Sequence, residues 1–317
     1  MNSPLLEVRN LATWYPIRSG VFARTVGHVK AVNDVSLSIG EGETVGLVGE
    51  SGCGKTTLGR TIIGLERATS GEVVFHGENL SDSRTRETRR QIQMVFQDPS
   101  SSLNPRMTIS DIVTEGMAAH GMLEGEKDKA ALQLLRDVGL DETALHRYPF
   151  EFSGGQRQRI SVARALSLKP SLIICDEAVS ALDVSVQAQV INLLLDLKDK
   201  YRLSYLFISH DLSVVRFISD RIAVMYLGKI VEVGDAAKIM ANPQHPYTQA
   251  LISAVPVPGV EKKQRQILKG ELPSPAKPPT GCPFHTRCPR VMEICKQQFP
   301  ATREIAGRNV ACHLFDL

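Results

Sequence analysis

Gly49-Glu50-Ser51-Gly52-Cys53-Gly54-Lys55-Thr56 sets two glycines five positions apart and follows the second with a lysine and a hydroxyl residue. The β-branched run over residues 43–49 predicts a strand entering this stretch, and residues 56–64 predict a helix leaving it. Strand, glycine-rich loop and helix in that order make a phosphate-binding loop. The glycines let backbone N–H groups curl round β- and γ-phosphates, and the helix N-terminus adds its positive dipole end. Lys55 then reaches the β/γ oxygens, and Thr56 supplies a hydroxyl ligand for Mg²⁺. Gly49, Ser51, Gly52, Cys53, Gly54, Lys55, Thr56 and Thr57 are the expected contacts of this loop.

Outward from the loop, buried strands are expected at residues 92–96, 172–175, 205–209 and 221–225, with helical spacing over 184–200. Strands alternating with helices require a mostly parallel sheet covered by helices. Asp176 and Glu177 follow the apolar run Leu172-Ile173-Ile174-Cys175, at the end of a strand where open α/β sheets bind ligands. There Asp176 suits a Mg²⁺ ligand, directly or through water, and Glu177 suits the base that orients and deprotonates an attacking water. The stretch between residues 96 and 172 has helical apolar spacing at 109–117 and 130–138, which predicts an inserted helical subdomain. After residue 255 the composition turns to Pro256, Pro258, Pro273, Pro275, Pro278 and Pro279, an extended linker before a small cysteine-containing unit.

The 317 residues suffice for one large domain or two modest ones. Lys plus Arg number 37 against 34 Asp plus Glu, so the net charge of +3 gives no concentrated basic stripe of the kind nucleic-acid binders carry. The longest apolar runs are strand-sized, far below the roughly 20 residues that cross a bilayer. Met1-Asn2-Ser3-Pro4 opens no secretory signal, so a cytoplasmic location is expected. No short-period repeat and no long heptad run is present.

The string Phe152-Ser153-Gly154-Gly155-Gln156-Arg157-Gln158-Arg159 reads as a turn opening a helix, offering a hydroxyl, backbone N–H groups and a helix dipole to a phosphate. A plain Ser-Gly-Gly helix cap would read the same way. With the phosphate loop and the acidic pair, this string makes the chain resemble the ATP-binding-cassette (ABC) family of P-loop NTPases. The resemblance implies roles for further residues. Tyr15 in Trp14-Tyr15-Pro16 matches the ring that stacks on adenine, with Trp14 as the other candidate. Gln97 matches the residue that contacts Mg²⁺ and water, and His210 the histidine at the γ-phosphate. Ser180-Ala181-Leu182-Asp183 matches the loop that crosses to a partner cassette. Glu177, His210, Gln97 and Lys55 are thus the implied catalytic set, and Thr56, Gln97 and Asp176 the Mg²⁺ set. Ser153, Gly154, Gly155, Gln156 and Asp183 complete the nucleotide contacts.

The implied fold is α/β: a RecA-like core of residues 1–98 and 166–254, a helical signature subdomain at 99–165, and a linker with a four-cysteine unit at 255–317. Two cassettes would sandwich two nucleotides head to tail, the signature of one facing the phosphate loop of the other. Two alternatives belong to other classes. A soluble ABC ATPase acting on DNA or ribosomes would show coiled-coil insertions or tandem cassettes, whereas only 97 residues separate Lys55 from Ser153. A non-hydrolysing cassette would lack groups such as Lys55, Glu177 and His210.

Finer detail resembles the dipeptide, oligopeptide and nickel importer branch. The marks are Val29-Lys30-Ala31-Val32 before Val35-Ser36-Leu37, Gln97-Asp98-Pro99 leading to Leu103-Asn104-Pro105, the string from Asp176 to Ser185, His245-Pro246-Tyr247-Thr248, and the insertion at 16–29. Cys53 stands where Ser is common, and Phe152 where Leu is common. The resemblance implies a second ATPase subunit, two permease subunits, an extracytoplasmic solute-binding protein, and a peripheral place on the cytoplasmic face of the membrane. Peptide as cargo is implied by family alone.

Cys53, beside Lys55 at a helix start, sits in a setting that lowers a thiol pKa, so alkylation blocked by ATP is expected; Cys175 reads as a core residue. Cys282, Cys288, Cys295 and Cys312 are separated by five, six and sixteen residues. Free thiols or disulfides are one reading, and zinc is another, with His285 or His313 able to replace a thiolate. Zinc sites usually contain a tight cysteine pair, and none exists here. Resemblance to the cysteine-rich end of dipeptide-transporter ATPases implies a four-iron four-sulfur (4Fe-4S) cluster held by all four thiols.

Overall fold

A computed structural model describes residues 3–80, 84–255, 268 and 270–316. Pro256 and Pro258 of the expected linker lie outside the described residues. The chain forms two compact units, one of Met1–Ile39, Thr44–Asp82 and Ser209–Leu317, the other of Gly40–Glu43 and Ser83–Ile208.

The first unit opens with a long antiparallel hairpin, Leu6–Ser19 on Arg24–Ile39, in register from Leu6↔Ile39 to Ser19↔Arg24. Residues 16–29 therefore extend this hairpin. Ser70–Phe75 pairs on its other side, with Leu6 opposite Phe75. The strand Thr44–Val48 is buried along its whole length and runs parallel to Arg221–Tyr226, Val48 lying opposite Val224. Both strands are aliphatic on both faces, as a covered parallel sheet demands. From Arg221–Tyr226 the sheet continues antiparallel through Lys229–Asp235 to Arg308–Ala311 and Thr302–Ile305. The C-terminal segment thus supplies two strands to the sheet that carries the phosphate loop.

In the second unit Ile92–Val95, Leu172–Asp176 and Ser204–Ser209 pair in parallel, Ile92 opposite Leu172 and Leu172 opposite Ser204. Leu172, Ile173, Ile174 and Cys175 are fully buried, each worth about 1.5–3 kcal/mol for the larger side chains. Helices Ile109–Ala119, Lys127–Asp137 and Gly154–Leu166 follow the first of these strands. Ile109, Val113, Ala131, Leu135 and Ile160 form their common core. Thr108 caps the first helix by accepting from the Asp111 N–H. Val184–Tyr201 closes in a left-handed Arg202. Among the described residues no helix is long and apolar enough to cross a membrane.

Candidate active site

The phosphate loop leaves Val48 and turns into the helix Lys55–Ile63. Gly54 caps that helix at φ 109°, and a Cβ there would overlap the Ala31 carbonyl oxygen, so only glycine fits. The first turn of the helix holds no acidic residue, which leaves its positive end available to an anion. Lys55 is buried, and its ammonium donates to the carbonyl oxygens of Gly49 (2.8 Å) and Glu50 (3.1 Å). A phosphate entering the loop would take over those donors. Tyr15 lies half-buried against this helix: burial raises its phenol pKa, while hydrogen bonding to Thr57 opposes that rise. Trp14 is instead engaged by the Lys30 ammonium, 4.6 Å above its ring. Ser51 and Gly52 are exposed, and Thr56 and Thr57 half-buried. His210 is exposed just past Ser209, where Asp211 caps the next helix through the Ser213 N–H.

Cys53 departs from expectation. It is 1% exposed, and burial pushes its thiol pKa up, outweighing the lowering by the Lys55 charge and a hydrogen bond. The loop shields this sulfur, and burial disfavours the reactive thiolate expected from its position. Cys175 is fully buried, its thiol pushed up to about 12 by burial.

In the second unit Asp176 ends its strand 2% exposed. Glu177 follows at φ 47°, a left-handed conformation that costs a non-glycine residue about 1–3 kcal/mol. Its N–H donates to the Ile208 carbonyl at 2.9 Å, and its Oε2 accepts from Gln97 Nε2 at 2.9 Å. Backbone and side chain are thus both held, the first by Ile208 and the second by Gln97. Ser153 caps the helix Gly154–Leu166 reciprocally: its hydroxyl accepts from Gln156 N–H, and the Gln156 side chain accepts from Ser153 N–H at 3.0 Å. Gly155 is buried where a Cβ would overlap Val186, which packs the cap onto the segment after Asp183. Asp183 itself is exposed and makes no cap hydrogen bond with its helix. The second unit thus joins Gln97 to Glu177, and the Ser153 cap to the segment behind Asp183.

Cys282 and Cys295 are buried and Cys288 and Cys312 half-buried. Cys282 N–H donates to the Cys295 carbonyl at 2.8 Å. Burial, then the charges of the other three sulfurs, pushes the Cys282 thiol up to about 12 against a lowering bond from Phe284 N–H. Cys288 and Cys312 are likewise raised by burial, Cys312 to about 11, and each receives the N–H of the residue two further on, Arg290 and Leu314. His313 has both ring nitrogens engaged, by Asp316 and by the Gln298 carbonyl, so it cannot replace a thiolate without breaking these contacts. His285 Nδ1 pairs with the Cys282 carbonyl oxygen. Among the described residues no three His, Cys, Asp or Glu side chains are grouped to hold one metal ion.

Sequence reasoning missed Glu232 and Tyr247. Glu232 is wholly buried and accepts from the N–H groups of Gln244 and His245. Tyr247 Oη accepts from the Glu50 N–H at 2.9 Å. The string His245-Pro246-Tyr247-Thr248 was the available signal.

The ABC transporter family matches residues 32–180, and the family described as the oligopeptide/dipeptide transporter C-terminal region matches residues 231–295. The chain is 56% identical to the oligopeptide transport ATP-binding protein AppF of Bacillus subtilis, covering 98% of this chain and 97% of that protein. It is 50% identical to a probable peptide ABC transporter ATP-binding protein of Sinorhizobium fredii, over 99% of this chain and 91% of the relative. Among solved structures, cbiO1 of Clostridium perfringens, part of the ABC transporter complex cbiONQ, superposes with a TM-score of 0.65 at 24% identity over 76% of this chain and 92% of its own. An ATP-binding cassette solved as a dimer in a post-hydrolysis state with ADP and Pi superposes with a TM-score of 0.63 at 28% identity, over 73% and 98%.

Proposed function

This chain belongs to the ABC transporter family as an ATP-hydrolysing subunit of the peptide-importing kind, and from that membership we propose how its residues share the work. It acts in a dimer of cassettes coupled to transmembrane permease subunits. Peptides are the cargo, delivered by an extracytoplasmic solute-binding protein, and the chain sits on the cytoplasmic face of the membrane. The buried Lys55 ammonium, turned onto the carbonyls of its own glycine loop, carries this reading.

Lys55 and the N–H groups of Gly49 to Thr57 take the β- and γ-phosphates, and Tyr15 stacks on the adenine. Thr56, Asp176 and Gln97 offer the hard oxygen donors that suit Mg²⁺. Bound there, Mg²⁺ would draw charge off the phosphate oxygens. Glu177 accepts the proton of the attacking water, oriented by Gln97, and His210 meets the γ-phosphate. Ser153, Gly154, Gly155 and Gln156 serve the nucleotide of the partner cassette, with Asp183 at the crossing. The residues 99–165 form the arm that carries this signature.

Replacing Glu177 by Gln removes the base and leaves the binding groups. ATPase turnover should fall on the order of 100-fold, and ATP-bound dimers should accumulate in size-exclusion chromatography. Undiminished turnover would remove Glu177 from the chemistry.

For the four tail cysteines we propose a 4Fe-4S cluster, with zinc as the rival; among the described residues no three potential ligands are yet grouped on one point, so either core would have to draw the thiols together. In support, three of the sulfurs already receive backbone N–H groups, and each feels the charge of its neighbours. The cluster would cross-link a small segment with little core of its own.

A further inference from the structure

Glu50 is the second residue of the phosphate loop, and every polar group it carries is held. Its N–H donates to Tyr247 Oη at 2.9 Å, and its carbonyl accepts from Lys55 Nζ at 3.1 Å. Its carboxylate is gripped from the C-terminal segment: Arg287 Nη1 donates to Oε2 at 2.6 Å and Nη2 to Oε1 at 3.0 Å. The Arg287 side chain is 6% exposed, and its Nε has no hydrogen-bond partner among the described residues. The fork on Glu50 is thus the main compensation for burying that guanidinium.

Arg287 is placed by the cysteine unit. It lies one residue before Cys288 and five after Cys282, and its N–H donates to the Phe284 carbonyl at 3.0 Å. Phe284 is fully buried, with its ring 5.2 Å from Tyr226 and 5.4 Å from Tyr247. The same segment reaches the other side of the loop: Pro275 accepts from the Lys30 N–H at 3.0 Å, next to Ala31, whose carbonyl abuts Gly54. Ordering of the tail therefore reaches the loop backbone through Glu50, through Tyr247 and through Ala31.

We propose that Arg287 is a positioning residue for nucleotide binding, which through Glu50 makes the affinity of the phosphate loop for MgATP depend on the folded cysteine unit. The inference rests on the reading of this loop as the ATP site. Without the fork, Glu50 is released, the loop samples open shapes, and Lys55 with the loop N–H groups must be ordered by the nucleotide itself.

The test is a double-mutant cycle in the full-length chain, read by MgATP titration and by steady-state ATPase kinetics. Arg287→Met should weaken MgATP binding about tenfold, the factor that corresponds to about 1.4 kcal/mol and to one charge-assisted hydrogen bond. KM for ATP should rise with kcat at saturating ATP retained. Arg287→Lys, which keeps the charge without the fork, should lie between wild type and Arg287→Met. Glu50→Gln should weaken binding similarly, and the double variant should be no weaker than either single one. Wild-type affinity in the single variants, or losses that multiply in the double, would overturn the proposal. If Arg287→Met does not fold, Arg287→Lys and Glu50→Gln with their double decide by the same criteria. Lys55→Ala separates the two readings. Undiminished MgATP binding there removes the nucleotide site, whereas dependence on Lys55 without dependence on Arg287 removes only this inference.

Discussion

At Cys53 two effects oppose each other in one side chain. The Lys55 charge and a backbone N–H favour the thiolate, and burial disfavours it more strongly. The sequence shows the first effect, because Lys55 is two residues away, and hides the second, because burial comes from chain folded over the loop. Alkylation followed by mass spectrometry should find Cys53 inert in the native protein with or without MgATP, and labelled only in denaturant. Rapid labelling without nucleotide would show that the loop opens far enough to expose the sulfur. Glu177 is the converse case. Its place after an apolar strand was legible, whereas its left-handed backbone and its bond to Gln97, 80 residues away, are products of the fold.

Among the elements, the helix Pro246–Ser253 shows how a short motif becomes mechanics. His245 caps it, with Nδ1 accepting from the Tyr247 N–H at 3.1 Å, so that nitrogen must be unprotonated. Pro246 occupies the first turn, where a missing N–H costs nothing. Burial lowers the His245 imidazole from 6.5 to about 3. A lowered histidine pKa means that the unfolded chain binds the extra proton first. Stability is therefore retained above pH 6.5 and falls as pH drops from there toward 3, by up to about 1.4 kcal/mol per unit. Asparagine caps helices without titrating. Urea unfolding of wild type and His245→Asn between pH 7 and 5 should show the wild type losing stability faster, and parallel slopes would deny His245 this role. Strand and helix positions near the site were legible to within a residue or two: residues 172–175 became Leu172–Asp176, and 184–200 became Val184–Tyr201. Periodicity and apolar runs report burial directly. The long N-terminal hairpin was not read as one, since its alternation is broken by register shifts near Val8, Leu11 and Thr13.

Across the whole molecule, what the sequence could not yield is partnership. A period of two marks a strand without naming its neighbour, so the pairing of Arg308–Ala311 with Lys229–Asp235 was invisible. So was the reach of Arg287 to Glu50 across 237 positions. Composition singled out the four cysteines but could not say that their segment joins the sheet bearing the phosphate loop. That placement raises the stakes of what the thiols hold. Burial pushes the Cys282 thiol up to about 12 and the Cys312 thiol up to about 11, so a cationic core held there would have to displace their protons. The N–H groups aimed at three of the sulfurs favour the thiolate that such a core requires. Metal content decides between the proposed cluster, which takes one thiolate per iron, and a single zinc ion, which takes all four on one centre. Protein purified without oxygen should be brown, absorb near roughly 400 nm and contain about four iron and four acid-labile sulfide per chain. Cys288→Ser should lose most of that iron. One zinc per chain with neither iron nor sulfide would overturn the cluster and leave the tail a zinc-stapled segment.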